Sequence, residues 1–405
     1  KTKTFPNQWK IEHQVPIPKI DVPENENDLR NIAKTPLFSK IYEQFIGEWL
    51  LKYIGPYLDP AQCGLKGKSV THYLIQLLHF MHKNLDLRSP HAILCTFIDL
   101  SKAFNRINHY LVIQDLCDMH TPAWLLTIMI SYLSERKMKM SYLNNESELK
   151  NLNAGSPQGA YLGGIIFIIK FNGGILRPPV PRPMAAPLGY SEAEKAKYID
   201  DGTVAVSIPL KKSLVNDPII REKPLNFHER TGHILPKENN LLQYYINDFE
   251  EFVVENDMKI NREKTNVMLI NPSRKFDFPP QMAFSNNEEV KVVSEVKLVG
   301  VIISDNLKWE NNTRNIVNKA MRKIWVLRRL KQMKMSNDFI IDVYIKELRS
   351  KLEQAVPVWN AGLTKAQDKS IERVQKTALS IIFGIYINRD NYARACSIAG
   401  IETLA

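Results

Sequence analysis

Two apolar runs in the chain lead to aspartates, and both predict strands that present carboxylates at their ends. ILCTFID is apolar without interruption until Asp99, which is typical of a buried strand. Residues 197–207 (KYIDDGTVAVS) place Asp200 and Asp201 between two strand-like segments, which predicts strand, turn and strand. An isolated Asp-Asp pair is usually a solvated turn. Two strands that end in acids instead suggest one platform for metal ions.

Apolar residues recur at helical spacing in residues 37–54, 69–83, 110–133 and 241–257. The first of these stretches has Leu37, Ile41, Phe45 and Leu50 among its apolar positions. The third is predicted to end near residues 134–136, where polar side chains replace the apolar ones.

The fourth helical stretch carries Leu242, Ile246, Phe249 and Val253 on one face. This stripe should pack beneath the sheet that holds the aspartates. Residues 160–171 (AYLGGIIFIIKF) form the longest apolar run, but the run is too short to cross a bilayer and Lys170 interrupts it. We therefore predict a buried helix or strand there, and no signal peptide or membrane span.

Three stretches are rich in proline or polar residues. Residues 1–36 are predicted to be an extended arm over the following segments. Residues 173–196 and 207–240 are predicted to be irregular insertions on either side of the Asp-Asp hairpin. Prolines of the first insertion would suit recruitment of a partner, but a surface loop is the simpler interpretation.

Residues 311–334 contain no acidic residue and carry a dense set of cations. Ile316, Ala320, Ile324 and Leu327 recur every three or four residues, so one stripe of a helix can pack while the rest faces outward. A charged run of this kind is usually a solvated face. A helix without anions forgoes the usual pairing between residues four apart, however, which favours contact with phosphate groups.

Composition agrees with a polyanionic partner. The 405 residues include 54 basic and 43 acidic ones, giving a formal net charge of +11. The length predicts two or three subdomains around a sizeable core. Four scattered cysteines (Cys63, Cys95, Cys117 and Cys396) show no spacing typical of zinc sites, and they favour a reduced, intracellular protein.

Clustered carboxylates are what nucleotidyl transfer on two metal ions requires. Two ions about 3.5–4 Å apart clamp the attacking and leaving oxygens of an in-line displacement. Magnesium prefers hard oxygen ligands from carboxylates and substrate phosphates. Without metal, two carboxylates at ~4 Å would repel by about 4 kcal/mol at an effective dielectric constant of ~20. We therefore expect Asp99, Asp200 and Asp201 to be loaded with metal or partly protonated.

Other motifs accompany these acids in a fixed order. Asp99 precedes Ala103 and Phe104, and the segments that follow in chain order are AGSPQGAYLGG, YIDD, INREKTNVML and KLVGVIIS. DLRNIAKTPLFSKIYE and QCGLKGKSVTH lie upstream. In this order the motifs resemble the palm and finger segments of reverse transcriptases from non-LTR (LINE-type) retrotransposons. The resemblance covers nearly the whole chain.

The resemblance implies an α+β right-hand polymerase with fingers, a palm built on an antiparallel sheet, and a helical thumb. Residues 1–60 would form the N-terminal arm and entry to the fingers, 61–310 the fingers and palm, and 311–405 a truncated basic thumb. The termini look cut, and the endonuclease expected of a complete element of this type has no counterpart here.

The resemblance also implies roles for single residues. Asp99, Asp200 and Asp201 would hold two Mg²⁺ ions, with Mn²⁺ as a substitute, and Lys264 would protonate the departing pyrophosphate. The predicted nucleotide-binding residues are Phe104, Gln158, Gly159, Lys66 and Lys68. The predicted template–primer contacts are Arg314, Lys319, Arg322, Lys323, Arg328 and Arg329.

These predicted roles have plain alternatives in the residues themselves. Phe104 would exclude a 2′-hydroxyl or serve as a core aromatic, Gln158 would contact the nucleotide or be a loop amide, and Lys264 would be a surface lysine. Lys66 stands where the family often has arginine, and Asn105 replaces a frequent acid.

The predicted function is RNA-templated DNA synthesis with an RNA template, a DNA primer and deoxynucleoside triphosphates. The site would work inside the cell, in the nucleus for insertion and also in the cytoplasm for RNA association. Two alternatives stay open: an inactive or domesticated RNA-binding module of the same fold, and an RNA-templated RNA polymerase. The intact acids disfavour the first, and Phe104 with YIDD disfavours the second. The sequence leaves the oligomeric state undetermined.

Overall fold

The computed structural model describes residues 3–87, 91–142, 145–172, 193–209, 241–271 and 282–404. The strands in these residues are β1 (Ile11–Pro18), β2 (Leu29–Lys34), β3 (His91–Ile98), β4 (Arg136–Tyr142), β5 (Asn145–Glu146), β6 (Lys150–Leu152), β7 (Ala193–Tyr198), β8 (Asp201–Pro209), β9 (Asn266–Ile270), β10 (Lys291–Val292), β11 (Glu295–Leu298) and β12 (Val301–Ser304).

The helices in the same residues are α1 (Leu37–Ile54), α2 (Val70–Leu85), α3 (His109–Asp118), α4 (Ala123–Leu133), α5 (Tyr161–Lys170), α6 (Leu241–Glu255), α7 (Glu310–Gln332), α8 (Asn337–Tyr344), α9 (Ser350–Leu352), α10 (Val356–Trp359), α11 (Lys365–Phe383) and α12 (Arg389–Ile398). A π-helical segment, Ile345–Arg349, joins α8 to α9. None of the helices in the described part of the chain is long and apolar enough to cross a membrane.

The central sheet has the strand order β10-β9-β3-β8-β7. β3 lies in the middle and pairs antiparallel with both β8 and β9. Its continuous apolar run is explained by burial on both faces, because successive side chains of a strand point to opposite sides. The side chains divide between two cores: Ala92, Leu94 and Ile98 in one, and Ile93, Cys95 and Phe97 in the other.

Helices cover both faces of this sheet. The first core includes buried residues of α1, α3, α4, α5 and α6, and the second includes α2 together with β11, β12 and the start of α7. α5 is apolar on all sides and almost wholly buried, as the sequence predicted. Its one charge, Lys170, forms a 2.8 Å ion pair with Asp115. α6 buries its predicted stripe against the same core, which confirms that it packs on the sheet.

A second sheet contains the N-terminal residues, with the order β2-β1-β4-β5 and β6 paired to β4. The prediction of an extended arm over residues 1–36 was therefore wrong for the part that forms β1 and β2. The buried Arg136 forms a 2.8 Å ion pair with Glu12, which fastens β4 to its parallel neighbour β1. These strands are stabilised by long-range pairing that no local pattern reveals.

Helix α1 has the predicted location, but its burial pattern differs from a simple apolar face. Leu50 is buried, whereas Leu37, Ile41 and Phe45 are exposed. The buried side also carries Glu43, whose carboxylate accepts a hydrogen bond from the Leu162 amide of α5. The side of α1 that packs is thus determined by its fit and hydrogen bonding to α5. The apolar stripe with Leu37, Ile41 and Phe45 faces outward.

Three other predicted ranges were wrong. The single helix predicted at 110–133 is two helices, α3 and α4, because Pro122 precedes α4 and His120 has a positive φ of 52°. The predicted insertions 173–196 and 207–240 overlap strands, since β7 begins at Ala193 and β8 continues to Pro209. Residues 173–192 and 210–240 lie outside the described residues.

Candidate active site at the edge of the central sheet

The β7–β8 hairpin ends in the segment Tyr198–Asp201, which we call the catalytic turn. Tyr198 pairs with Asp201, so that Ile199 and Asp200 form the loop between the strands. The prediction of strand, turn and strand is confirmed. Because Ile98 pairs with Gly202, Asp99 leaves β3 beside this turn.

Asp99 is held by the segment that precedes β9. The Asp99 backbone amide donates to Thr265 Oγ1 at 3.3 Å, and its carbonyl accepts from the Asn261 amide at 2.8 Å. Burial raises the pKa of the Asp99 carboxyl, while the charge of Lys264, a hydrogen bond with Asn261 and the charge of Lys19 oppose that rise. The motif INREKTNVML thus binds the backbone of Asp99 and places Lys264 and Asn261 near its carboxylate.

Burial is the main influence on the pKa values of the paired aspartates. It raises the pKa of Asp201 to about 7, and the charges of Asp200 and Asp99 add to the effect. Burial also raises the pKa of Asp200, with Asp99 contributing in the same direction and the charge of Arg30 opposing it. The strand pairing places Asp99 beside the catalytic turn, and Asp99 and Asp201 line the same cavity.

The donor set suits a divalent cation whose coordination is completed by substrate. Within the described ranges, no three His, Cys, Asp or Glu side chains are arranged closely enough to hold a metal ion by themselves. Magnesium is normally bound by one or two carboxylates together with substrate phosphates, and it retains water readily. Hard carboxylate oxygens under mutual repulsion fit that role, because a cation would relieve the repulsion.

A cavity of about 280 Å³ lies beside the carboxylates. Its polar and charged lining comprises Asp99, Asp201, Thr203, Lys264, Asn266, Glu295 and Lys297. The predicted catalytic Lys264 thus opens onto the same space as two of the predicted metal ligands. Strand β11 contributes Glu295 and Lys297 to the wall of this cavity.

Two cations near the carboxylates were missed by the sequence reasoning. The charges of Arg30 and Lys19 act on Asp200 and Asp99 respectively. Burial lowers the pKa of Lys19, and the nearby positive charges of Lys264, Arg30 and Lys102 lower it further. Such a concentration of cations above carboxylates is suited to a polyphosphate. In the sequence these two cations are simply basic residues in a proline-rich stretch. Without knowledge of the β1–β2 pairing, that pattern does not indicate that they lie near the aspartates.

The loop before α5 is bonded to the palm and to the second sheet. The Ser156 amide donates to the Phe104 carbonyl at 2.7 Å, and the Gln158 carbonyl accepts from Ala33 at 2.9 Å. Gly159 has a φ of 107° against the backbone of β2. A Cβ at Gly163 would lie 2.2 Å from the Pro157 carbonyl oxygen, so only glycine fits there. The loop that carries Gln158 and Gly159 is therefore closely fixed.

Phe104 lies in a short 3₁₀ segment after β3 and is partly buried. Its ring stacks on Phe167 of α5 with 4.9 Å between centroids. A core aromatic residue would make this contact, and so would a ring held in position against the sugar of a bound nucleotide. The exclusion of ribonucleotides by Phe104 stays a prediction.

The two lysines predicted in the fingers are exposed on the loop that follows residue 64. Lys66 forms an ion pair with Glu48 at 3.3 Å, and Lys68 donates to the Pro60 carbonyl. The cations that act on the carboxylates are Lys264, Lys19 and Arg30 instead. Contact of Lys66 and Lys68 with triphosphate stays a prediction.

Helix α7 carries the predicted basic face. Ile316, Ala320, Ile324 and Leu327 are buried, which confirms the predicted packing stripe. The exposed cations on the helix include Arg314, Lys319, Arg322, Arg328 and Arg329. Trp325 lies among them and is 64% exposed.

Lys323 differs from the other cations of α7 because Glu347, from the π-helical segment, forms a 2.6 Å ion pair with it. A neighbouring element thus supplies an anion to this cation of α7. The remaining exposed arginines form a basic surface beside an aromatic ring, an arrangement suited to nucleic acid.

Comparison with known proteins gives these features a family context. The family model described as "Reverse transcriptase (RNA-dependent DNA polymerase)" matches residues 17–303. The probable RNA-directed DNA polymerase from transposon X-element of Drosophila melanogaster is 22% identical over 380 residues, covering 92% of this chain and 37% of that protein. The RNA-directed DNA polymerase from mobile element jockey, also of Drosophila melanogaster, is 22% identical over 332 residues, covering 80% and 32%.

Among solved structures, apo telomerase from Candida tropicalis covers 96% of this chain and 62% of its own, with 10% identity and a TM-score of 0.49. The chain spans roughly a third of the length of the two Drosophila relatives.

Proposed function

The chain belongs to the reverse transcriptase (RNA-dependent DNA polymerase) family, and from this premise we propose that it copies RNA into DNA as the polymerase core of a non-LTR retrotransposon protein. One observation carries the proposal: strand pairing places Asp99 beside the turn that holds Asp200 and Asp201, and Asp99 and Asp201 line one cavity. Burying three like charges is costly unless a cation joins them.

The three aspartates are the proposed ligands of two Mg²⁺ ions, for which Mn²⁺ would substitute. When bound, the two ions would stabilise negative charge on the attacking 3′-oxygen and on the departing pyrophosphate. The hard oxygen donors of Asp99, Asp200 and Asp201 suit this choice of metal. Their raised pKa values mean that protons compete with cations for the same oxygens.

The surrounding cations orient the nucleotide. In the proposal, Lys19 and Arg30 draw the triphosphate towards the carboxylates, since their charges already act on Asp99 and Asp200. Lys264 lines the cavity beside Asp99 and donates a proton to the leaving pyrophosphate, a contribution typically worth ~10²–10⁴-fold. Phe104 lies under the sugar and excludes a 2′-hydroxyl.

The basic face of α7 binds the template–primer duplex in this proposal. Arg314, Arg322, Arg328 and Arg329 are exposed and can reach phosphates, while Trp325 adds an aromatic surface. Contacts of this kind position a duplex without reading its sequence. The reaction would take place inside the cell, at the nuclear DNA for insertion.

Primer extension tests the proposal directly. The purified chain is given a DNA primer on an RNA template with Mg²⁺, and incorporation of each deoxynucleotide is compared with that of the matching ribonucleotide. We expect template-dependent extension with deoxynucleotides that stops when EDTA removes the metal. Binding of template–primer without extension, with either Mg²⁺ or Mn²⁺, would contradict the proposal.

A further inference from the structure

The catalytic turn contains a backbone conformation that its own residue disfavours. Ile199 has a φ of 56°, in the left-handed region. A β-branched side chain is rare there because its Cβ crowds the neighbouring carbonyl groups. The surroundings must therefore hold Ile199 in place, and strain of this kind is concentrated at functional sites.

One buried side chain forms hydrogen bonds to both the backbone amide and the backbone carbonyl of Ile199. Gln62 is 2% exposed and lies in the loop before α2. Its Oε1 atom accepts a hydrogen bond from the Ile199 amide at 2.9 Å, and its Nε2 donates to the Ile199 carbonyl at 3.4 Å. The same Oε1 accepts from the Gly64 amide at 2.8 Å. The side chain thus replaces, for the turn, the hydrogen bonds that a neighbouring strand would supply.

The backbone around Gln62 continues this attachment along β7. The Lys197 amide donates to the Ala61 carbonyl at 3.0 Å, and the Lys197 carbonyl accepts from Cys63 at 2.7 Å. The wholly buried Lys197 side chain forms a 2.8 Å ion pair with Asp59. The segment that carries Gln62 is therefore fixed to the hairpin from two sides.

Gly64 allows this segment to approach the turn. A Cβ at Gly64 would lie 2.7 Å from Ile199 Cγ1 and 3.0 Å from the Ile199 amide nitrogen. Any larger residue would push the Gln62 segment away from the loop. The close approach of Gly64 and the two hydrogen bonds from the Gln62 side chain thus both constrain Ile199.

We infer that Gln62 is a positioning residue for nucleotidyl transfer: it holds Ile199 in the left-handed conformation and thereby sets the direction of the Asp200 carboxylate. Asp200 follows Ile199 directly, so a change in the backbone angles of Ile199 rotates the aspartate relative to Asp99. Gln62 touches neither metal nor substrate in this role. The inference rests on the proposed function, since it assigns Gln62 to the step that Asp200 serves.

The test compares two glutamines that bind the same strand. Gln62→Met keeps a side chain of similar length but cannot form the hydrogen bonds. Gln76→Ala is the matched control, because Gln76 Nε2 donates to the Lys195 carbonyl at 3.3 Å on β7, away from the turn. We expect Gln62→Met to lower kcat for primer extension at least tenfold, with KM for deoxynucleotide and template–primer Kd changed less than about threefold. Gln76→Ala should stay within about twofold of the native kcat.

A second substitution separates positioning from general stability. Glycine adopts positive φ without the penalty that isoleucine meets. Ile199→Gly should therefore make the turn less dependent on Gln62, so that Gln62→Met lowers kcat less than threefold in that background. An equal loss in both backgrounds, or an equal kcat for Gln62→Met and Gln76→Ala, would overturn the inference. Gln62→Asn, whose amide is one methylene shorter, gives the same comparison should Gln62→Met not fold.

Hydrogen exchange distinguishes failure of this inference from failure of the proposed function. In the protein alone, Gln62→Met should accelerate amide exchange in a peptide covering residues 196–203 at least tenfold, while Gln76→Ala leaves Ile199 protected. If the native chain did not extend primers but showed this exchange, the attachment of the turn would stand and the proposed function would fail. Unchanged exchange in Gln62→Met would refute the attachment, whatever the activity.

Discussion

The catalytic turn and the basic face of α7 both concentrate charge, but they hold it in opposite ways. The aspartates are partly buried, and residues distant in the sequence act on them, including Lys19, Arg30 and Lys264. The arginines of α7 are exposed, and one helix presents them by its own periodicity. The clustering of charge in the turn depends on tertiary structure. The clustering of charge on α7 follows almost entirely from the sequence of that helix.

This difference has an energetic consequence. In the turn, burial raises the pKa of Asp201 to about 7, and the charges of Asp200 and Asp99 add to that rise. Exposed charges are screened by salt over about 10 Å at 0.1 M ionic strength. We therefore expect substitutions in the turn to change turnover and those on α7 to change affinity and its salt dependence.

The largest expected effect separates chemistry from binding in the turn. Asp200→Asn should lower the rate of primer extension at least 100-fold, about 2.7 kcal/mol of transition-state free energy, because a proposed metal ligand is lost. The Kd for template–primer should stay within about twofold. Single-turnover extension and fluorescence anisotropy measure the two quantities. Retention of more than a tenth of the rate would show that Asp200 is no metal ligand.

The second prediction concerns the basic face of α7. Replacing Arg322, Arg328 and Arg329 with alanine should weaken duplex binding about tenfold or more near 0.1 M salt, while single-turnover extension at saturating duplex changes less than about twofold. Each lost phosphate contact removes about 0.9 from the slope of log affinity against log salt on B-form DNA. A titration of Kd against salt measures this slope.

The exposed residues Lys365, Lys369 and Arg373 of α11 provide the matched control, because their replacement with alanine removes the same net charge. This variant should keep the native salt slope within about 0.5, less than the slope of one phosphate contact. Equal slopes for both triple variants would mean that the α7 arginines are exposed to solvent and do not contact phosphates.

A third prediction asks whether Phe104 belongs to the site or to the core. Phe104→Val should raise the ratio of kcat/KM for ribonucleotide over deoxynucleotide about tenfold, because the ring would no longer clash with a 2′-hydroxyl. The ratio cancels any loss of folded enzyme. Phe171→Val, in the same core, should lower both values and leave the ratio unchanged. If the ratio of kcat/KM for the two nucleotides were the same in both variants, Phe104 would be a core residue without a role in sugar selection.

The smallest expected effect is on stability. The pKa of Asp201 is about 7 in the folded chain, against about 3.9 for an unperturbed aspartate, so its ionisation destabilises the fold. The penalty is absent below about pH 4, grows as pH rises and is complete above about pH 7. After a discount for solvent screening, Asp201→Asn should gain roughly 1–2 kcal/mol at pH 8 in EDTA, or a few degrees in Tm.

The gain of Asp201→Asn should vanish at pH 4, where both side chains are neutral. Thermal unfolding followed by circular dichroism at pH 4, 6 and 8 measures this dependence. The exposed Asp21, replaced with asparagine, is the control and should show no gain at pH 8. A constant gain at all three pH values would mean that the fold does not raise the pKa of Asp201.

Several elements were predictable because one short stretch of sequence contains their physical cause. Residues 92–98 are apolar apart from Thr96 because β3 is buried on both faces, and the stripe of α7 follows from helical periodicity. Asp99 directly follows β3, and Asp200 and Asp201 lie at the tip of the β7–β8 hairpin, as predicted, because Asp-Asp is readily accommodated at a hairpin tip. The exposed stripe of α1 was not predictable, since hydrophobic spacing does not reveal which side meets α5.

The sequence by itself determined several local elements, the acids beside strand ends and the basic surface of α7, because periodicity and composition act over a few residues. Only the tertiary structure decided that Lys19 and Arg30 face the aspartates and that Gln62 holds Ile199 across 137 positions of chain. Those relations depend on strand pairing and on close approach at Gly64. Long-range pairing is stabilised by the whole fold, so no local pattern records it.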